Sequence, residues 1–227
     1  YPVTTDGYSA PYYLSTAVAS ASYLFAGLIF VYHTLRMFIG RRLSMLVTLS
    51  SWLASPLLYF SFIRQRMAHT AEFFLASILI YIWIRFRQSR EPMHYLVLGA
   101  VLGLLCMTRV INIAFFALFV VDLFWMFRQE WKANPGRTWK TFFILVAALG
   151  GGFFITMLPQ FYAWYQLNGV PFPPRHMKFA GEGLAGVNLG PLFENIYSLL
   201  FSAKWGLFFS MPLAVLGIIG LFFKDNS

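Results

Sequence analysis

The chain has 227 residues, 59% of them hydrophobic and 20% aromatic, with a net charge of +9 and a mean hydropathy of +0.66. That balance excludes an ordinary soluble domain, which has no way to cover so much apolar surface, and points to a polytopic membrane protein whose solvent is lipid. The single cysteine, Cys106, excludes an intrachain disulfide framework. The basic residues stand between apolar runs, so topology and anionic headgroups account for them rather than nucleic acid.

In chain order, the polar and aromatic N-terminus lacks the basic n-region of a cleavable signal peptide. There is no initiator Met, and the chain is expected to be a fragment of a longer protein. Seven apolar runs follow, over 17–35, 43–62, 70–84, 95–108, 110–127, 141–164 and 206–223. A crossing needs about 20 residues, or about 17 where the ends snorkel. The fourth run is short, but 95–127 as one helix would be about 50 Å long, too much for one crossing. A tight hairpin turning near Thr108 and Arg109 is the better reading. Gly150, Gly151 and Gly152 lie mid-span, where they permit close helix approach or a kink. The loop 165–205 carries Pro171, Pro173 and Pro174, which forbid regular helix, and several glycines. Its second half, 191–203, repeats apolar residues at helical spacing, as an interfacial amphipathic helix does. The expected fold is therefore all-α: a single transmembrane bundle over 1–227 with about seven spans and one long external loop.

Sorting the charges by side gives the orientation. Arg36, Arg41, Arg42, Arg85, Arg87, Arg90, Arg128, Lys132, Arg137, Lys140 and Lys224 fall on one side, and Arg64, Arg66, Arg109, Arg175, Lys178 and Lys204 on the other. The richer side is assigned to the cytoplasm, which puts the N-terminus outside and the C-terminus inside.

The poorer side holds the chemistry. Arg64, Arg66, His69 and Glu72 gather where the second run meets the third, and His69 and Glu72 share a face if a helix begins there. Such a set can bind an anionic headgroup and move a proton, or the arginines can snorkel to lipid phosphate with Glu72 paired to one of them. Arg109 has no charged neighbour in sequence. It requires an anion, a cavity or the surface; the short hairpin suggests a recessed site, and the alternative is a structural ion pair. Arg175, His176, Lys178, Glu182 and Lys204 on the long loop could close over a phosphate or stay solvated. Asp122 is expected to pair with Arg128 or to face the interface, and His33 and His94 read as helix-end residues. No metal-ligand spacing or phosphate-loop motif is present.

Four segments carry a resemblance. DGYSAPYYL (6–14), PLLYFSFIRQRMAHTAEFF (56–74), GLLCMTRVINI (103–113) and LLFSAKWGLFFSMPL (199–213) resemble, in order, elements of bacterial GT-C membrane glycosyltransferases, relatives of the protein O-mannosyltransferases. In the second segment Met67 and His69 match the family pattern, whereas Ala68 stands where the family has Ser. The resemblance implies an inner-membrane enzyme that moves a sugar from a polyprenyl-phosphate donor, with inversion, to a hydroxyl of a glycan, lipid or protein acceptor on the external side. It implies that the acid/base carboxylate lies upstream of Tyr1, so that Asp6 is not that group. It assigns donor phosphate to Arg109 and His69, with Arg66, Arg64, Arg175 and Lys204 assisting and Glu72, His176 and Lys178 in support. No cofactor is expected, and a divalent metal stays open. The alternative is a non-catalytic subunit or scaffold of the same kin, packed with other membrane subunits.

Overall fold

A computed structural model of the chain describes residues 9–64, 67–131, 135–172, 197, 200–202, 208 and 212–220. Among these residues the secondary structure is helical throughout, with no strand. The elements are α1 (Ala10–Leu35), α2 (Arg41–Leu53), α3 (Leu57–Phe62), α4 (His69–Phe86), α5 (Pro92–Thr108), a 3-10 helix (Val110–Phe115), α6 (Phe116–Trp131) and α7 (Pro135–Asn168). A further helix covers Pro212–Gly220.

Four helical stretches are long and apolar enough to cross a membrane: Ala10–Leu35, His69–Phe86, Val110–Trp131 and Pro135–Asn168. The expected seven continuous spans are not all seen. The run over 43–62 is two helices, because Ala54 leaves helical geometry (φ −102°, ψ 27°) and Pro56 has no N–H to continue the ladder. The Leu57 N–H donates instead to Ser55 Oγ at 3.3 Å. The fourth run is a continuous apolar helix of 17 residues, below the length of the other four. Most of the expected interfacial helix over 191–203, and the ends of the last run, lie outside the described residues.

Burial is inverted relative to a soluble protein. On α2, Ser44 and Thr48 are buried, while Leu43 and Leu46 are 52% and 62% exposed. Ser20, Ser61, Thr70 and Ser77 are likewise buried, and Phe25, Ile29, Val121, Phe124, Phe154 and Ile155 face outward. Water would penalise that arrangement heavily; hydrocarbon does not, and small polar residues let helix backbones approach. Several buried hydroxyls are satisfied within their own helix, as when Ser77 Oγ donates to the Phe73 carbonyl at 2.7 Å.

Two close crossings hold the bundle together. In the first, α1 runs parallel to α4. Ser20 and Thr70 share a buried hydroxyl hydrogen bond of 2.9 Å, and a Cβ on Gly27 would meet the Phe73 ring at 2.6 Å. In the second, α5 runs parallel to α7. A Cβ on Gly99 would strike the Leu149 carbonyl oxygen, and one on Gly152 the Leu96 carbonyl oxygen. Thr156 Oγ1 crosses this seam to the Ala100 carbonyl at 3.1 Å. Among the described residues, Gly152 alone of the three mid-span glycines serves close approach; no described atom lies within 4 Å of a Cβ at Gly150 or Gly151. Leu79 of α4, Leu98, Leu102 and Leu105 of α5, Phe119 and Leu123 of α6, and Leu145 and Leu149 of α7 form the core. Gly169, with φ +73°, ends α7, and its N–H donates to the Tyr165 carbonyl at 2.8 Å.

Candidate functional site

Each of three helix ends contributes to one polar cluster. His69 is the first residue of α4 and Glu72 lies in its first turn, where a carboxylate is favoured by the exposed N–H groups of the helix end. The imidazole of His69 packs on Phe60 of α3, ring centroids 4.0 Å apart at 37°. Arg109 follows α5 in extended geometry (φ −155°, ψ 125°), so the chain turns there as the hairpin reading expects. Asn112, buried, secures that turn. Its N–H donates to the Arg109 carbonyl at 3.0 Å, and its side-chain amide donates to the Leu105 carbonyl at 3.2 Å. This amide was not among the candidate residues; a lone Asn three residues beyond the Arg, inside an apolar run, was the available signal.

The cluster is centred on one oxygen. Glu72 Oε2 lies 3.6 Å from His69 Nδ1 and 3.7 Å from Arg109 Nη1. Both separations exceed a direct hydrogen bond. Glu72 is 19% exposed, His69 29% and Arg109 55%. Arg109 therefore approaches Glu72 without a direct hydrogen bond, and more than half of its side chain is exposed.

Helix register sets the depth of this site. Because Ser20 is level with Thr70, α1 continues from Ser20 back to Ala10 beyond the start of α4, about 15 Å by the helical rise. Because Thr156 is level with Ala100 and Gly103, α7 runs past the end of α5 by about 8 Å before it stops at Asn168. Exposed tyrosines decorate both projecting ends, Tyr12 and Tyr13 on α1 and Tyr162 and Tyr165 on α7. The cluster therefore lies short of both projecting helix ends along the bundle axis.

Of the other candidates, Arg64 is described and exposed just after α3, and the Met67 N–H donates to its carbonyl at 3.2 Å. Arg66, Arg175, His176, Lys178 and Lys204 lie outside the described residues.

The opposite end of the bundle has a second polar cluster. Arg87 Nε donates to Asp122 Oδ1 at 3.0 Å, and Arg90 Nε donates to Glu130 Oε1 at 3.0 Å. Asp122 was expected to meet Arg128 or the interface. It is buried instead and takes Arg87, because six residues along a helix turn Arg128 well away from the face that Asp122 presents to the bundle. His94 stacks on Phe86 at 4.1 Å and shares a 2.8 Å hydrogen bond with Ser89 Oγ. Among the described residues no group of three His, Cys, Asp or Glu side chains could hold a metal ion.

No family model, no curated protein and no solved structure matches this chain.

Proposed function

We propose that this chain is the central part of a membrane glycosyltransferase that uses a polyprenyl-phosphate sugar and delivers it to an acceptor hydroxyl. The observation that carries the proposal is Arg109 at the end of α5, its side chain 55% exposed and 3.7 Å from Glu72, beyond a direct hydrogen bond. In this reading the donor phosphate binds Arg109 and His69. As the acceptor oxygen bonds to the anomeric carbon, the bond from that carbon to the phosphate oxygen breaks. The electron pair leaves with the phosphate, whose growing charge Arg109 stabilises, and the acceptor's proton passes to the acid/base carboxylate. Glu72 holds His69 and Arg109 in place and is not the base. The acid/base carboxylate is assigned to none of the described residues. The site faces the external side of a bacterial inner membrane, following the charge asymmetry of the loops. The ordered sequence resemblance to the GT-C enzymes supports the same reading.

The test is transfer from a polyprenyl-phosphate sugar by the full-length protein in membranes. Arg109→Ala is expected to abolish transfer while expression and insertion continue. Wild-type turnover in that variant would remove Arg109 from the mechanism.

One observation favours a second reading, a non-catalytic subunit: Arg109 already has a carboxylate within reach, as a structural ion pair requires. In that case Glu72→Gln and Arg109→Ala would lower stability alike, and the double variant would cost little more than either.

A further inference from the structure

Between α6 and α7 lies an apolar groove of about 420 Å³. Its walls include Phe116, Val120 and Phe127 of α6 and Trp139, Val146 and Leu149 of α7. From Phe116 to Phe127 the groove follows α6 for about 16 Å, which matches half of the ~30 Å hydrocarbon core, one leaflet.

The residues at one end of the groove change in an ordered way. The purely apolar walls give way to an aromatic cluster, in which Phe127 lies 4.8 Å from Trp139 and 5.2 Å from Trp131, ring centre to ring centre. Immediately after these aromatic residues come the exposed cations Arg128 and Lys140. Among the described residues, the acids at this end are already engaged: Asp122 by Arg87, Glu130 by Arg90, and Glu91 by His94 at 3.7 Å. Apolar channel, aromatic girdle and cation follow one another as chain, interface and phosphate do in a phospholipid.

We propose that the groove between α6 and α7 holds one acyl chain of an anionic phospholipid whose phosphate rests against Arg128 and Lys140. The site is separate from the Arg109 cluster and does not depend on glycosyl transfer.

The experiment reconstitutes the full chain in phosphatidylcholine vesicles containing a trace of phosphatidylglycerol with a photoreactive group on its acyl chain. Labelled peptides are then mapped by mass spectrometry. Label is expected to concentrate on the groove faces of α6 and α7. Val146→Trp fills the groove from a position already 38% exposed, and should reduce that label at least fivefold. Ile155→Trp, 62% exposed on α7 and outside the groove, should leave it unchanged. Arg128→Gln with Lys140→Gln, both at exposed positions, should reduce phosphatidylglycerol labelling to that of a photoreactive phosphatidylcholine. Label no denser in the groove than on the outer face of α2 would overturn the proposal. So would label insensitive to Val146→Trp, or no preference for the anionic lipid. Protein cross-links placing a second copy, or residues 173–211 of this chain, in the groove at the expense of lipid would overturn it too.

Discussion

The two ends of the α4–α5 pair carry similar residues in different states. At one end Arg87 and Arg90 each place Nε 3.0 Å from a carboxylate oxygen on α6, so three helices are tied by direct charged hydrogen bonds. At the other end a single carboxylate oxygen is shared by His69 and Arg109 at 3.6 and 3.7 Å. Arg87 is as exposed as Arg109, so the contrast is one of geometry: direct hydrogen bonds fix the carboxylates at one end, and the carboxylate at the other is held beyond hydrogen-bond range. α5 stops at Thr108, short of the projecting ends of α1 and α7, and among the described residues the one acid that reaches Arg109 is Glu72 of α4.

The largest effect that would test this contrast is on transfer. Arg109→Ala should lower the rate at least 100-fold, about 2.7 kcal/mol, as removal of a single charge-stabilising donor does. Its melting temperature in detergent should shift little, since a half-exposed loose pair contributes at most about 1 kcal/mol. Asp122→Ala should do the reverse. Losing the carboxylate that ties Arg87 is expected to cost about 2 kcal/mol of stability, read as a lowered midpoint of thermal unfolding; the solvent open to Arg87 keeps it below the cost of a fully buried pair. Per folded molecule, transfer should be unchanged. A selective loss of transfer in Asp122→Ala would erase the distinction between the two ends. Arg90→Gln, at a pair exposed on both sides, should cost about 0.5 kcal/mol, and the effect should shrink in high salt. The smallest expected change is His69→Phe. It keeps the packing on Phe60, so stability should hold within about 0.5 kcal/mol while donor KM rises several-fold.

Local chemistry made some of this legible. A lone Arg between two apolar runs that are too long for one crossing forces a turn, and the chain turns at Arg109. The three-residue spacing of His69 and Glu72 puts them on one face once α4 starts at His69. The sorting of basic residues also holds for the residues the helices bring together: Arg109 shares an end with Glu72 and His69, and Arg87 shares the opposite end with Arg90. Other features were not legible. That Pro56 breaks the second run rather than kinking it was not read from the apolar pattern, although the partner of the Leu57 N–H there is the local Ser55 hydroxyl. Three consecutive glycines look alike in sequence, yet among the described residues only Gly152 meets a facing backbone. Gly99 and Gly103, spaced by four on α5, carried the complementary signal for that seam.

Composition and periodicity alone determined that this chain is an all-helical membrane protein, that its charges divide into two sets, and that the chain turns at Arg109. These follow from the cost of placing charge and unpaired backbone in hydrocarbon, which depends on the residue and its near neighbours. Only the tertiary structure decided which acid each arginine meets, which glycine forms the crossing, and how deep Arg109 lies. Those depend on the register between helices distant in sequence, set by shape fit at the α1–α4 and α5–α7 seams, and no single segment encodes it.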